Sequence, residues 1–71
     1  MAGSSAEIMK TVLTHVAART GRRVQNLDIE LCSDGVVLRG SAGSFYVKQL
    51  AQHGVLEILP NVRLQNAIKV A

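Results

Sequence analysis

The stretch that decides the fold is Ser33-Asp34-Gly35-Val36-Val37-Leu38-Arg39-Gly40, a turn sequence that leads into a short apolar run. An Asp-Gly pair between two alternating segments is a strong short-range signal for a two-residue β-hairpin turn. We therefore predict a hairpin whose turn is Ser33-Asp34-Gly35, with Asp34-Gly35 as its central pair. Its second strand is expected to run from Val36 to Gly40.

The segment before this turn alternates with the period of a strand that is buried on one face. Apolar Leu27, Ile29 and Leu31 alternate with Asp28, Glu30 and Cys32. A turn centred on Asp34-Gly35 would place Leu31 opposite Leu38 on the inner face. It would also place the opposite charges of Glu30 and Arg39 side by side on the outer face.

A helix is predicted before the hairpin. Ser4-Ser5-Ala6-Glu7 has the Ser-x-x-Glu form of a capping box, and Gly21 can supply the left-handed residue that ends a helix. Between them, apolar residues recur at helical spacing and form one stripe: Ile8, Val12, Leu13, Val16 and Ala17.

A second helix and a third strand are predicted after the hairpin. Ser41-Ala42-Gly43-Ser44 breaks the strand and offers serine caps, and Pro60 ends the helix. Gly54 inside this helix is expected to be a packing point against the first helix or the sheet. The helical stripe is Val47, Leu50, Ala51, Val55, Ile58 and Leu59, and the strand pattern is Val62, Leu64, Ile68 and Val70, with Asn66 anomalous on the apolar side.

The element order α-β-β-α-β predicts an α+β fold with a three-stranded sheet. Each element has one apolar face, so both helices are expected to pack on one side of the sheet and to leave the other side exposed. One domain spans residues 1–71, with 1–5 as an N-terminal extension or cap and 6–71 as the core. The open face would carry Asp28, Glu30, Cys32, Val37, Arg39, Arg63, Gln65, Ala67 and Lys69.

Composition limits the function classes only weakly. The chain has 71 residues, 48% of them hydrophobic, and a net charge of +3, which favours an anionic partner without identifying one. Neither a signal peptide nor a transmembrane stretch is recognisable in the sequence. The chain as written is therefore expected to be cytoplasmic, with an envelope location as the alternative if the native product is longer.

The reactive side chains do not form a recognisable catalytic or metal-binding motif. His15, Cys32 and His53 fall on three different predicted elements at unrelated spacings, whereas a zinc site needs paired ligands. Gly40-Ser41-Ala42-Gly43 matches the GXXG of nucleic-acid-binding KH domains, but it joins a strand to a helix here. We expect no catalytic site, cofactor or metal, and nucleic acid is the least favoured partner.

The candidate binding residues are basic and aromatic. Arg19, Arg22 and Arg23 form the one basic cluster, at the end of the first helix, and are the first candidates for contact with an acidic lipid headgroup or an acidic partner. Phe45 and Tyr46 begin the second helix. One of these aromatic rings is expected to pack in the core or against Pro60, and the other to serve as an exposed anchor.

The element order and several residues resemble the BON domain, a bacterial family found in envelope and osmotic-stress proteins. The matching positions cover nearly the whole chain: the run from Asp34 to Gly40, Lys48 and Ala51 in the second helix, and Val62, Leu64, Asn66, Ile68 and Val70 in the last strand. The resemblance implies a non-enzymatic module that attaches to phospholipid membranes or to envelope proteins. The alternative is a self-associating structural domain, in which the open sheet face or an edge strand pairs with a second copy.

Overall fold

The computed structural model describes residues 5–71 and the side chains from Ala6 onward, so the predicted cap at Ser4 lies outside the described residues. It confirms the α+β fold and the order α-β-β-α-β. The elements are α1 (Ser5–Arg19), β1 (Val24–Cys32), β2 (Gly35–Ala42), α2 (Phe45–Ile58) and β3 (Leu64–Val70).

The three strands form one mixed sheet with β2 in the centre. The strand order is β1-β2-β3, in which β1 and β2 are antiparallel and β2 and β3 are parallel. Parallel neighbours need a crossover connection, and α2 provides it here. The C-terminal ends of β2 and β3 therefore lie at the same end of the sheet as the start of β1.

The predicted register of the hairpin is wrong by two residues. Cys32 pairs with Gly35, so the two turn residues are Ser33-Asp34, and Leu38 pairs with Ile29 rather than with Leu31. A shift of two residues keeps every side chain on its predicted face, because side chains alternate with a period of two. The outer ion pair between Glu30 and Arg39 still forms, as a diagonal contact across the two strands.

Gly35 serves the start of β3 rather than the turn. A Cβ added at Gly35 would collide with the Arg63 carbonyl oxygen, and the Val36 amide donates to that same oxygen at 2.9 Å. Only a residue without a side chain lets the backbone before β3 come this close. The hairpin signal that we assigned to turn geometry therefore reflects a close approach of two backbones.

The core lies between the two helices and one face of the sheet, as predicted. Leu38 on the central strand is fully buried beneath the helices. Gly54 of α2 packs on α1, since a Cβ at Gly54 would lie 3.2 Å from Val16 Cγ2 and 3.3 Å from Val16 Cα. The buried hydrophobic residues are Val12, Val16, Val24, Ile29, Val36, Leu38, Ala42, Val47, Ala51, Val55 and Ile68.

Asn66 has a structural role that explains its place on the apolar side. Its Nδ2 donates to the Lys48 carbonyl oxygen of α2 at 3.0 Å, and its Oδ1 accepts from the Ile68 amide at 3.2 Å. The side chain thus ties β3 to α2 while it remains half-buried. A half-buried amide is tolerated because its donor and its acceptor both find partners.

The face of the sheet away from the helices has the predicted composition. Leu38 and Ile68 are buried on the inner face, so the alternate residues on β2 and β3 lie on the other side. Val37 and Ala67 are half-buried at its centre and are surrounded by exposed polar residues. We call this surface the open face; its described residues are Asp28, Glu30, Cys32, Val37, Arg39, Arg63, Gln65, Ala67 and Lys69.

Candidate functional site

The three candidate arginines follow one another through the turn that ends α1. The Arg22 amide donates to the Ala17 carbonyl at 2.8 Å and the Gly21 amide to the Ala18 carbonyl at 3.2 Å, which is the Schellman pattern. Gly21 has the left-handed φ of 61° that this motif uses, and the prediction that Gly21 ends the helix is confirmed. Arg22 follows with a φ of 58°, an uncommon conformation for a residue that has a side chain.

The arginines differ in how much of their charge is already engaged. Arg19 Nε donates to Glu57 Oε1 at 2.9 Å, and Arg23 Nε donates to the Thr20 carbonyl oxygen at 2.9 Å. Arg22 is exposed and follows the αL glycine of the turn. A carbonyl partner leaves the charge of Arg23 uncompensated, so Arg22 and Arg23 contribute the net charge of the cluster and Arg19 contributes less.

Glu57 is the residue that the sequence interpretation missed. His15 Nε2 lies 2.6 Å from Glu57 Oε1, and His15 is one helical turn before Arg19 on α1. Hydrogen bonds from Arg19 and then from His15 hold the pKa of the Glu57 carboxyl well below its usual range, at about 2. Glu57 in turn raises the pKa of Arg19. A His and an Arg four residues apart on one helix, with a single Glu on the other, were the available signal.

Both aromatic side chains are exposed, which corrects the expectation that one of them packs in the core or against Pro60. Phe45 is 60% exposed and Tyr46 is 63% exposed. Helix α2 turns Val47 and Ala51 toward the core, and Phe45 and Tyr46 lie outside that stripe. Pro60 follows the opposite end of this 14-residue helix, about 20 Å away along the axis.

The fold brings Arg22, Arg23 and the two aromatic residues to one end of the sheet. Val24, which follows Arg23, pairs with Ala42, and Phe45 begins α2 three residues after Ala42. Tyr46 also contributes, after Glu57, to the raised pKa of Arg19, through the charge that its ring carries as a phenolate. We call this region the basic-aromatic end; its residues are Arg22, Arg23, Phe45 and Tyr46, whereas the guanidinium of Arg19 is directed to Glu57 near the C-terminus of α2.

The acidic side chains lie mainly away from this end. Asp34 is in the hairpin turn at the opposite end of the sheet, and Asp28 and Glu30 lie on the open face. Glu57 is held by Arg19 and His15, and its carboxylate offsets only part of the nearby positive charge. The chain is therefore electrically asymmetric along its strands, with the positive potential at the basic-aromatic end.

The other side chains singled out in the sequence are not brought together. Cys32 is exposed at the end of β1, His53 is exposed on α2, and His15 lies on α1. Residues 5–71 contain no group of three or more His, Cys, Asp and Glu side chains that could hold a metal ion. In the same range, neither helix is both long enough and apolar enough to cross a membrane.

Comparisons with known proteins do not add a relative. The chain matches no family model, no curated protein and no solved structure.

Proposed function

We propose that this domain is a non-enzymatic binding module that attaches to anionic phospholipid membranes through the basic-aromatic end. The observation that carries the proposal is the position of Arg22 and Arg23 at the same end of the sheet as two exposed aromatic side chains. The resemblance to BON domains supports the same class of function. An envelope protein with an acidic surface is the alternative partner for the same residues.

The chemistry of the two residue types fits the boundary between water and lipid. Each arginine near an anionic membrane contributes on the order of 1 kcal/mol, and this attraction falls off within a Debye length. Aromatic side chains bury apolar area at the level of the headgroups while the phenol of a tyrosine stays hydrated. Phe45 and Tyr46 are more than half exposed, so they can enter the headgroup layer without unfolding the core.

Flotation with lipid vesicles tests the proposal. We expect the domain to float with vesicles of phosphatidylcholine mixed with phosphatidylglycerol, and to remain unbound with phosphatidylcholine alone. Added salt should weaken the binding, because screening shortens the reach of the arginine charges. Flotation that does not depend on anionic lipid would contradict the proposal, and an absence of flotation would favour an acidic protein partner.

Two matched variants test the location of the binding surface. Arg22→Glu combined with Arg23→Glu should lower the affinity for anionic vesicles by at least about 30-fold, since neutralising two arginines already removes about 2 kcal/mol. Lys10→Glu combined with Arg63→Glu makes the same change in net charge at exposed positions elsewhere. Equal losses in the two variants, measured at low micromolar protein, would mean that net charge and not this end determines binding.

A further inference from the structure

The open face carries opposite charges at its two edges. Asp28 and Glu30 lie on the β1 side, and Lys69 lies on the β3 side. Arg63, one residue before β3, is 81% exposed and only loosely paired with Asp34, at 4.0 Å. Two copies of a sheet face with one acidic edge and one basic edge are complementary when one copy is turned over onto the other, so that each acidic edge lies over a basic edge.

The centre of the open face is less polar than its edges. Val37 and Ala67 are half-buried, and they lie on the two strands that run parallel. Arg39 shares the central strand with Val37, and its guanidinium is drawn aside to Glu30. The centre therefore offers a small apolar contact area between two charged borders.

We propose that the open face docks on the open face of a second copy, about a two-fold axis that runs parallel to the strands. Such a rotation exchanges the left and right edges of the sheet and keeps the strand direction. It places the acidic β1 edge of each copy over the basic β3 edge of the other, so that Asp28 lies diagonally across from Lys69. The contact is isologous, and every favourable charge pair occurs twice.

The charges at the two edges favour this arrangement over the other symmetric ones. Arg39 on the central strand faces its own counterpart across the axis, but its charge is already paired with Glu30 of the same copy. A two-fold axis perpendicular to the strands would place β1 over β1 and Asp28 near its own counterpart, and like charges across an interface are unfavourable. Pairing along a sheet edge would leave the borders of the open face without partners. Aligned sheets pack about 10 Å apart, a distance that long side chains such as Lys69 can bridge.

The small size of the face limits the strength of the association. Three strands that are about 4.8 Å apart and a β3 of 7 residues give a face of about 14 by 23 Å. This is well below the roughly 800 Å² per partner of a standard stable interface. The dimer is therefore a weak one, formed at high protein concentration and at low ionic strength.

Sedimentation equilibrium of the whole chain tests the docking. We expect a dimer fraction that rises between about 10 µM and about 1 mM protein, at the weak end of specific association. The fraction should fall on going from about 20 mM to about 500 mM salt, because the borders are ionic. A wild-type chain that stays monomeric at the highest concentration in low salt would overturn the proposal.

Charge exchange tests the orientation. Asp28→Lys alone and Lys69→Asp alone should each raise the dissociation constant at least about tenfold, since each change reverses two contacts in the dimer. The variant that carries both changes has the net charge of the wild type and should regain its association, as should an equimolar mixture of the two single variants. Folded single variants that associate like the wild type, or a combined variant that does not recover, would overturn the axis.

The arrangement also has a consequence for membrane attachment, which rests on the proposed function. Because the axis runs along the strands, both basic-aromatic ends point in the same direction and can contact one bilayer together. The sedimentation experiments contain no lipid, so their failure would leave membrane attachment by the monomer untouched. Failure of flotation would likewise leave the dimer unaffected.

Discussion

The two ends of the sheet differ in the side chains that they expose. At the hairpin end, Gly35 lies against the backbone of Arg63, and the Val36 amide donates to the Arg63 carbonyl oxygen at 2.9 Å. At the basic-aromatic end, Phe45 and Tyr46 project into solvent with 60% and 63% of their surface exposed. Backbone contacts hold both ends, since the Ala71 amide donates to the Ala42 carbonyl oxygen at 2.8 Å, but the second end also exposes two large side chains that lie outside the core.

The same difference appears in the charges. At the hairpin end, Asp34 and Arg63 have opposite charges and lie 4.0 Å apart. Glu57, near the C-terminus of α2, is shared by Arg19 and His15, so Arg22 and Arg23 remain as an excess of positive charge at the basic-aromatic end. The most recognisable part of the sequence therefore explains the fold, and the less recognisable end carries the proposed binding surface.

The largest expected effect comes from a methyl group at the hairpin end. Gly35→Ala should lower the free energy of unfolding by about 3 kcal/mol, since its Cβ would collide with the Arg63 carbonyl oxygen and the start of β3 would have to move. Gly43→Ala, next to the basic-aromatic end, is the matched control, because a Cβ at Gly43 has no atom within 4 Å. Urea unfolding of the two variants gives the difference. Similar losses of unfolding free energy in the two variants would show that tolerance of a methyl group does not distinguish the two ends.

The faces of the strands could be predicted from the sequence, but the register could not. Alternation assigns Ile29, Leu31 and Leu38 to one face, and a shift of two residues preserves that assignment. The observed pairing of Leu38 with Ile29 is accompanied by a close approach of Gly35 to Arg63, which is distant in sequence. A pattern of neighbouring residues carries no information about such a contact.

The candidate site could be predicted in part. The arginine cluster and the aromatic pair were visible as residue types, but their meeting at one end depends on the pairing of Val24 with Ala42. Glu57 is far from Arg19 in sequence, so its ion pair follows only from the packing of α2 on α1. The exposure of both Phe45 and Tyr46 depends on which stripe of α2 faces the core.

Arg22→Gly separates the contribution of Arg22 to vesicle binding from its contribution to stability. Glycine adopts the φ of 58° at this position without steric cost, so we expect the free energy of unfolding to be unchanged or raised by up to about 1 kcal/mol. Affinity for anionic vesicles should fall, because one arginine is lost. Asn26→Gly is the control: Asn26 has a φ of 55° and no charge, and its substitution should leave vesicle binding unchanged. Parallel urea unfolding and flotation give both quantities, and unaltered flotation of Arg22→Gly would remove this residue from the binding surface.

Removal of both aromatic side chains should have a still smaller effect on stability. Phe45→Ala combined with Tyr46→Ala is expected to change the free energy of unfolding by no more than about 0.5 kcal/mol, because exposed positions contribute little. Vesicle binding should decrease even in high salt, where the arginine contribution is screened. Val47→Ala, at the neighbouring buried position, should instead destabilise the chain and leave binding per folded molecule intact. A large loss of stability in the double alanine variant, with vesicle binding per folded molecule unchanged, would mean that the aromatic pair supports the fold.

The smallest expected effect is a pH dependence that reports on Glu57, the acidic residue that pairs with Arg19 near the C-terminus of α2. Its pKa in the folded chain is about 2, below the ordinary value of 4.5, so its ion pairs stabilise the fold above that ordinary value. This stability is lost as the pH falls from about 4.5 through about 2. Glu57→Gln should therefore be less stable than the wild type at pH 7, and the difference should close in this acidic range.

Arg19→Gln supplies the control for that measurement. If Arg19 is the main cause of the lowered pKa, the cost of Glu57→Gln at pH 7 should shrink in the Arg19→Gln background, as in a double-mutant cycle. Thermal unfolding of the four chains at several pH values measures both effects. A difference between Glu57→Gln and the wild type that persists unchanged to pH 2 would show that Glu57 acts through packing. In that case the Glu57 carboxylate would not offset the charge of the arginines. The excess of positive charge at the basic-aromatic end would then be larger than the ion pair between Arg19 and Glu57 implies.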